Sequence, residues 1–305
     1  MAKIQGIIPA LITPFGPGGE FNASAFREVI QFHLSTGVDG FYVTGGTGEG
    51  LLLDPDERRT ILEVAMDEVA GQVPVIAHVG AVATHTAADL AAHAASVGAA
   101  AIAAIPPIYV NADLAGIKEH YRRIAQAANG VPTWLYYVPH ATGVTLTSKT
   151  FAELMDIDNV RGVKYTSYNF YEMRNIIELA QNRDFTVVSG PDEMCLPALT
   201  MGATGAIGTT YNVMPGQFLK LFRAWQNKDI ETAQQLQYQA NQVINALLTV
   251  PTLAAVKAVL TRMGFDCGVP RSPLRGLTVE EEQRLWQALD QSPFSEIADM
   301  PLKAV

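Results

Sequence analysis

Short apolar, β-branched runs alternate with longer stretches whose apolar residues return every three to four positions, almost from end to end of the chain. A continuous or alternating apolar run predicts a strand, and a 3.6-residue period predicts an amphipathic helix. The strand-like runs cover residues 6–14, 40–44, 73–79, 100–105, 133–138, 160–166, 186–189 and 205–208. Helical runs between them include residues 23–35, 56–70, 86–97, 114–128 and 173–181. This alternation predicts a parallel sheet with crossover helices, and eight such units within roughly the first 225 residues suit a (β/α)8 barrel of about 250 residues. A doubly wound open sheet is the competing architecture, but no Gly-x-Gly-x-x-Gly follows the first strand. Beyond the eighth unit, residues 229–248, 251–263 and 279–290 read as helices with no strand between them. The expected organisation is therefore an α/β barrel over residues 1–226 and a helical C-terminal extension over residues 227–305.

Composition narrows the function classes. The chain of 305 residues is 49% hydrophobic and 17% charged, enough to bury a large core. Its net charge of -9, with no clustered basic run, argues against nucleic acid or an anionic membrane surface as partner. No apolar segment approaches the length of a membrane span, and the first residues lack a signal-peptide pattern, so a cytoplasmic protein acting on small solutes is expected. Cys195 and Cys267 form no Cys-x-x-Cys pair, and the six histidines (33, 78, 85, 93, 120 and 140) match no common ligand spacing. Neither a disulfide framework nor a metal site is expected.

In such a barrel the C-terminal ends of the strands line the active site. The second strand ends in Thr44-Gly45-Gly46-Thr47-Gly48-Glu49-Gly50, whose amides and Thr47 hydroxyl suit a carboxylate or phosphate, although a Gly-rich turn is more often only a turn. The fifth ends in Tyr136-Tyr137-Val138-Pro139-His140, and one of two adjacent tyrosines must face inward. The sixth carries Lys164 within an apolar run, with Thr166 on the same face. Burying a lysine disfavours its charged form and makes the amine a usable nucleophile, whereas a lysine at a strand end can also send its ammonium to water. The seventh gives Ser189-Gly190-Pro191-Asp192-Glu193, read either as a helix cap or as acceptors for a polyol. The eighth ends in Gly208-Thr209-Thr210-Tyr211-Asn212.

With Gly-Gly-Thr-Gly-Glu at 45–49, Tyr-Tyr-Val-Pro at 136–139 and Gly-Val-Lys-Tyr-Thr at 162–166, the chain resembles the dihydrodipicolinate synthase and N-acetylneuraminate lyase superfamily of class I pyruvate aldolases. The segments at 189–193 and 205–212 are similar to the N-acetylneuraminate lyase branch. The resemblance implies that Lys164 forms a Schiff base with pyruvate or a 2-keto acid, without a separate cofactor or metal. Tyr136 would be the general acid and base, and Tyr109 would enter a neighbouring subunit's site within a homotetramer. Substrate contacts would come from Gly46, Thr47 and Thr166 at the keto acid end, and from Gly190, Asp192, Glu193 and Thr209 along the tail. The expected reaction is cleavage of N-acetylneuraminate to pyruvate and N-acetylmannosamine. Other outcomes are a lyase or dehydratase for another sugar-derived 2-keto acid, 4-hydroxy-tetrahydrodipicolinate synthase, or a non-catalytic keto acid sensor. The synthases use an arginine just after Tyr-x-x-Pro, and His140-Ala141-Thr142 supplies none. Gly46 stands where the family usually carries a serine or threonine hydroxyl, Tyr137 where asparagine is common, and Pro191 where an aromatic is frequent.

Overall fold

The computed structural model describes residues 4–300. Among these, eight parallel strands alternate with helices in the order β1 (Gly6–Pro9), α1 (Ala23–Thr36), β2 (Phe41–Val43), α2 (Pro55–Val69), β3 (Val75–His78), α3 (Thr84–Ser96), β4 (Ala101–Ala104), α4 (Leu114–Ala127) and β5 (Thr133–Tyr137). The chain continues through α5 (Pro139–Thr142), α6 (Ser148–Met155), β6 (Val160–Tyr165), α7 (Phe170–Ala180), β7 (Thr186–Ser189), α8 (Cys195–Met201), β8 (Gly205–Gly208) and α9 (Pro215–Gln226). Four helices follow without a strand: α10 (Ile230–Leu247), α11 (Thr252–Met263), α12 (Val279–Asp290) and α13 (Phe294–Ile297).

Neighbouring strands pair in sequence from β2 to β8, and β8 returns to pair with β1. The ring closes between β1 and β2 by the bridge from Ala10 to Tyr42, where the Leu11 amide donates to the Tyr42 carbonyl at 2.9 Å. It is a (β/α)8 barrel. Alternation along each strand divides the core in two. Ile8, Tyr42, Ile76, Ala101, Ala103, Trp134 and Ile207 fill the interior, while Ile7, Val43, Ile102, Leu135 and Val163 pack beneath the helices. Helix ends follow their local chemistry: Asn22 accepts from the Ala25 amide to start α1, and Gly37, in the left-handed region, stops it.

The seventh and eighth strands run as the sequence predicts, but the first is shorter than residues 6–14. After Pro9 the chain leaves the ladder, passing through the single bridge at Ala10. Short helices α5, α6 and α8 carry too few turns to show a clear period, and the sequence reading does not place them. No single helix among the described residues is long and apolar enough to cross a membrane.

Candidate active site

Strands β5 and β6 lie in parallel register with Tyr136 opposite Lys164. Alternation sends Trp134 and Tyr136 into the barrel and Leu135 and Tyr137 outward, so the inward member of the tyrosine pair is Tyr136. Lys164 is buried, with Nζ 4.5 Å from the Tyr136 ring centroid and 4.6 Å from that of Tyr42. Two aromatic faces therefore hold the amine. Lys164 does not send its head to bulk water.

Tyr42 and His78 were not singled out by the sequence. Tyr42 lies inward on β2, its hydroxyl buried without a hydrogen-bond partner, and burial pushes its pKa well above the ordinary phenol value. His78 ends β3, its ring 5.7 Å from that of Tyr136. Its Nδ1 lies 3.0 Å from the Thr44 carbonyl, which can only accept, so Nδ1 carries the proton and Nε2 a lone pair. Burial, with help from Arg58 and Lys164, holds the His78 pKa well below its usual value, and the ring is neutral. Thr44 itself takes a left-handed φ of 56°, a strained conformation for a β-branched residue. Its hydroxyl donates to Val43 and to His78 carbonyls, at 2.8 and 3.1 Å.

The turn after Thr44 brings Gly46 over Tyr136. A Cβ at Gly46 would stand 3.8 Å from the Tyr136 hydroxyl, an ordinary contact, and the Gly46 backbone lies outside the left-handed region. Conformation therefore does not demand glycine here. Thr47 reaches across to the end of β8, its Oγ1 2.7 Å from that of Thr209. The two threonines, assigned by the resemblance to opposite ends of a substrate, are in direct contact.

Thr166, Gly190, Asp192, Glu193 and Thr209 line one cavity of about 490 Å³. Lys164 and Tyr136 are not part of its lining; Thr166, two residues beyond Lys164, connects the cavity to them in sequence. Gly190 is glycine for a steric reason, since a Cβ there would fall 1.9 Å from the Thr166 hydroxyl. That hydroxyl is buried and has no partner.

The acid pair opens a single 3₁₀ turn, Asp192–Met194, and neither side chain caps it. Asp192 instead accepts from the Thr210 amide and hydroxyl through Oδ2, each at 2.7 Å, leaving Oδ1 buried and unpartnered. Burial pushes its pKa up to about 6, against the two Thr210 hydrogen bonds, which lower it. Glu193 accepts from the Tyr168 hydroxyl, and this bond is the main cause that raises the Tyr168 pKa to about 12. Tyr168, another residue the sequence did not single out, forms part of the cavity wall. Helix α10 supports this turn: Gln237 Nε2 donates to the Asp192 carbonyl and Asn241 Nδ2 to that of Glu193, both at 3.2 Å.

Tyr109 is apart from these groups, 96% exposed and in a left-handed conformation with φ of 68°. Among the described residues no three His, Cys, Asp or Glu side chains gather in a way that could hold a metal ion.

Residues 3–292 match the dihydrodipicolinate synthetase family over nearly the whole chain. The chain belongs to that family. Within the dihydrodipicolinate synthetase family it is 36% identical over 278 residues to an N-acetylneuraminate lyase of Clostridium perfringens, covering 91% of this chain and 96% of that one. A Clostridium difficile structure, CdNal in complex with mannosamine, superposes with a TM-score of 0.91 at 32% identity, covering 95% of this chain and all of the other. A Bacillus anthracis dihydrodipicolinate synthase superposes with the same TM-score at 30% identity, over 96% of this chain and 100% of that one. The backbone alone therefore does not separate the branches of the family, and the side chains of the cavity must.

Proposed function

We propose that this protein is a class I aldolase that cleaves N-acetylneuraminate to pyruvate and N-acetylmannosamine. The observation that carries this reading is Lys164, a buried amine held between the Tyr42 and Tyr136 rings two residues before Thr166, which lines a cavity walled by Asp192 and Glu193. Lys164 attacks the keto carbon and water leaves, giving an imine; once protonated, it accepts the electron pair released when the C3–C4 bond breaks. Tyr136 takes the proton of the C4 hydroxyl as the sugar aldehyde departs. Reprotonation at C3 and hydrolysis of the imine release pyruvate and restore the amine. The hydroxyl and amide of Thr47 hold the keto acid carboxylate, and the buried hydroxyl of Thr166, free of other partners, orients it.

At the other end of the cavity, Asp192 Oδ1 is an acceptor without a donor. A substrate hydroxyl is the group it lacks. No arginine lines this cavity among the described residues, which disfavours a substrate with a second carboxylate and so disfavours the synthase reaction. The relatives named as N-acetylneuraminate lyases support the same choice.

The active form is a homo-oligomer, a tetramer by family resemblance. Exposed Leu51, Val82, Tyr109 and Val110 lie on the loops after β2, β3 and β4, one sector of the barrel mouth, and this apolar sector supports contact with a second copy. A bulky residue held in left-handed backbone while nearly fully exposed, as Tyr109 is, suits a side chain whose contacts lie on a neighbour.

The test is a panel of sugar-derived 2-keto acids assayed for pyruvate release. N-acetylneuraminate is expected to give the highest kcat/KM. A tenfold preference for another member of the panel overturns the substrate, and no release from any of them overturns the aldolase.

A further inference from the structure

Glu49 closes the Gly-rich turn after β2, and its carboxylate points away from the cavity into the protein. Its Oε1 lies 2.6 Å from Lys257 Nζ on α11, with side-chain exposures of 0% and 1%. Its Oε2 accepts from the Arg271 amide at 2.7 Å. Lys257 and Arg271 both belong to the helical extension, and both cations stack on the ring of Phe15, at 4.2 and 4.5 Å. The Arg271 side chain continues the connection with two bonds to Glu57 on α2, at 2.7 and 2.8 Å.

The turn on the other side of Glu49 is tightly specified. Glu49 has a left-handed φ of 56°, its amide donates to the Gly46 carbonyl, and the next amide, Gly50, donates to Gly45. A Cβ at Gly50 would fall 1.8 Å from the Thr44 carbonyl, so backbone packs directly on backbone. Thr47 therefore sits in a loop whose last residue is fixed by a buried ion pair from another part of the chain. Two buried charges are costly to desolvate, and in proteins generally an apolar pair of the same volume often stabilises the fold as well or better. The arrangement points to a positional role.

We propose that Glu49, Lys257 and the Arg271 amide form a strut through which the C-terminal helices hold the Thr47 turn in the shape that binds the 2-keto acid carboxylate. This rests on the reading of Thr47 and Lys164 given above. Glu49 and Lys257 are positioning residues, out of reach of the reacting atoms. The extension, on this view, is a working part of the keto acid site.

The test compares the parent, Glu49→Gln and the double variant Glu49→Gln/Lys257→Met, which leaves no unpaired buried charge. Each is incubated with pyruvate or with acetaldehyde, which has the carbonyl but no carboxylate, and reduced with borohydride. Occupancy of Lys164 is then read by peptide mass against probe concentration, with melting followed in parallel. The strut predicts folded variants whose half-saturation by pyruvate rises roughly ten- to a hundredfold, the scale of effect of a misplaced binding group, while acetaldehyde labelling is unchanged. Folded variants with parental pyruvate dependence overturn the strut alone. A parallel loss with both probes, or failure of both variants to fold, assigns the pair to general integrity and likewise overturns it. A parent that gives no pyruvate adduct on Lys164 overturns the functional reading itself.

Discussion

Lys164 and Tyr136 stand opposite each other on adjacent strands, fixed by the ladder of β5 and β6, whereas Asp192 and Glu193 stand on a single turn held by side chains of Thr210, Tyr168, Gln237 and Asn241. The inner region is specified by backbone register, which no single side-chain change moves. The outer region depends on individual side-chain bonds, so under the proposed function single substitutions there change which tail is accepted while Lys164 and Tyr136 stay in place. A barrel that separates its chemistry from its recognition in this way can serve many keto acids. The departures of this chain from the family are divided between the two: Pro191 lies in the cavity wall, Gly46 beside the Tyr136 hydroxyl, and Tyr137 faces outward beneath the helices.

That contrast predicts different failures for the two regions. Tyr136→Phe keeps the ring that packs on Tyr42 and His78 but removes the proton-transfer group. Turnover should fall about 10²- to 10⁴-fold, with melting temperature and binding of the sugar tail nearly unchanged. A loss confined to KM would place Tyr136 among the binding groups and blur the division.

Asp192→Asn should do the reverse, lowering kcat/KM for N-acetylneuraminate by about 1.5 to 3 kcal/mol while leaving pyruvate imine formation intact. Asparagine can still accept from Thr210, so the turn keeps its shape. The raised pKa adds a signature. In the parent, KM for N-acetylneuraminate should rise as pH falls through about 6, because protonation turns Asp192 Oδ1 from acceptor to donor; the asparagine variant should show no such inflection. Its effect on stability has the opposite sense. Protonation favours the folded state fully below the ordinary value of 3.8, and that advantage is lost as pH rises through about 6. Equal losses with pyruvate and with N-acetylneuraminate would show that the acid only supports the fold.

A smaller effect, and in the other direction, is expected at the border between the regions. Gly46→Ser places a hydroxyl beside that of Tyr136 without demanding left-handed backbone, and should melt as the parent does. If proton delivery to Tyr136 limits the rate, turnover rises several-fold, within the roughly 10²-fold that one positioned proton-transfer partner supplies. An equally stable but slower variant means that the space left by glycine is occupied by substrate.

The fold was legible because alternation and period are local properties, and residues 186–189 and 205–208 match β7 and β8 to the residue. The proposed reactive pair was legible only in part: a lysine in an apolar strand and a double tyrosine mark two strand ends, and the resemblance to the family assigns them their roles. Tyr42 and His78 did not, because their place beside Lys164 depends on which strand faces which across the barrel. Glu49 read as the end of a motif, and its partner on α11 lies more than two hundred residues away. The capping interpretation of Asp192 failed for the same reason: its carboxylate is engaged by Thr210 at the end of the next strand, a contact with no local signal.

The central claim is that Lys164 is the nucleophile, and reduction of the enzyme with borohydride during turnover of N-acetylneuraminate tests it most directly. Peptide mapping should find a single pyruvate-derived adduct, on Lys164, and Lys164→Ala should form none and release pyruvate at less than about 10⁻⁴ of the parent rate. An adduct on another lysine, or a Lys164→Ala enzyme that still cleaves the substrate, would contradict it.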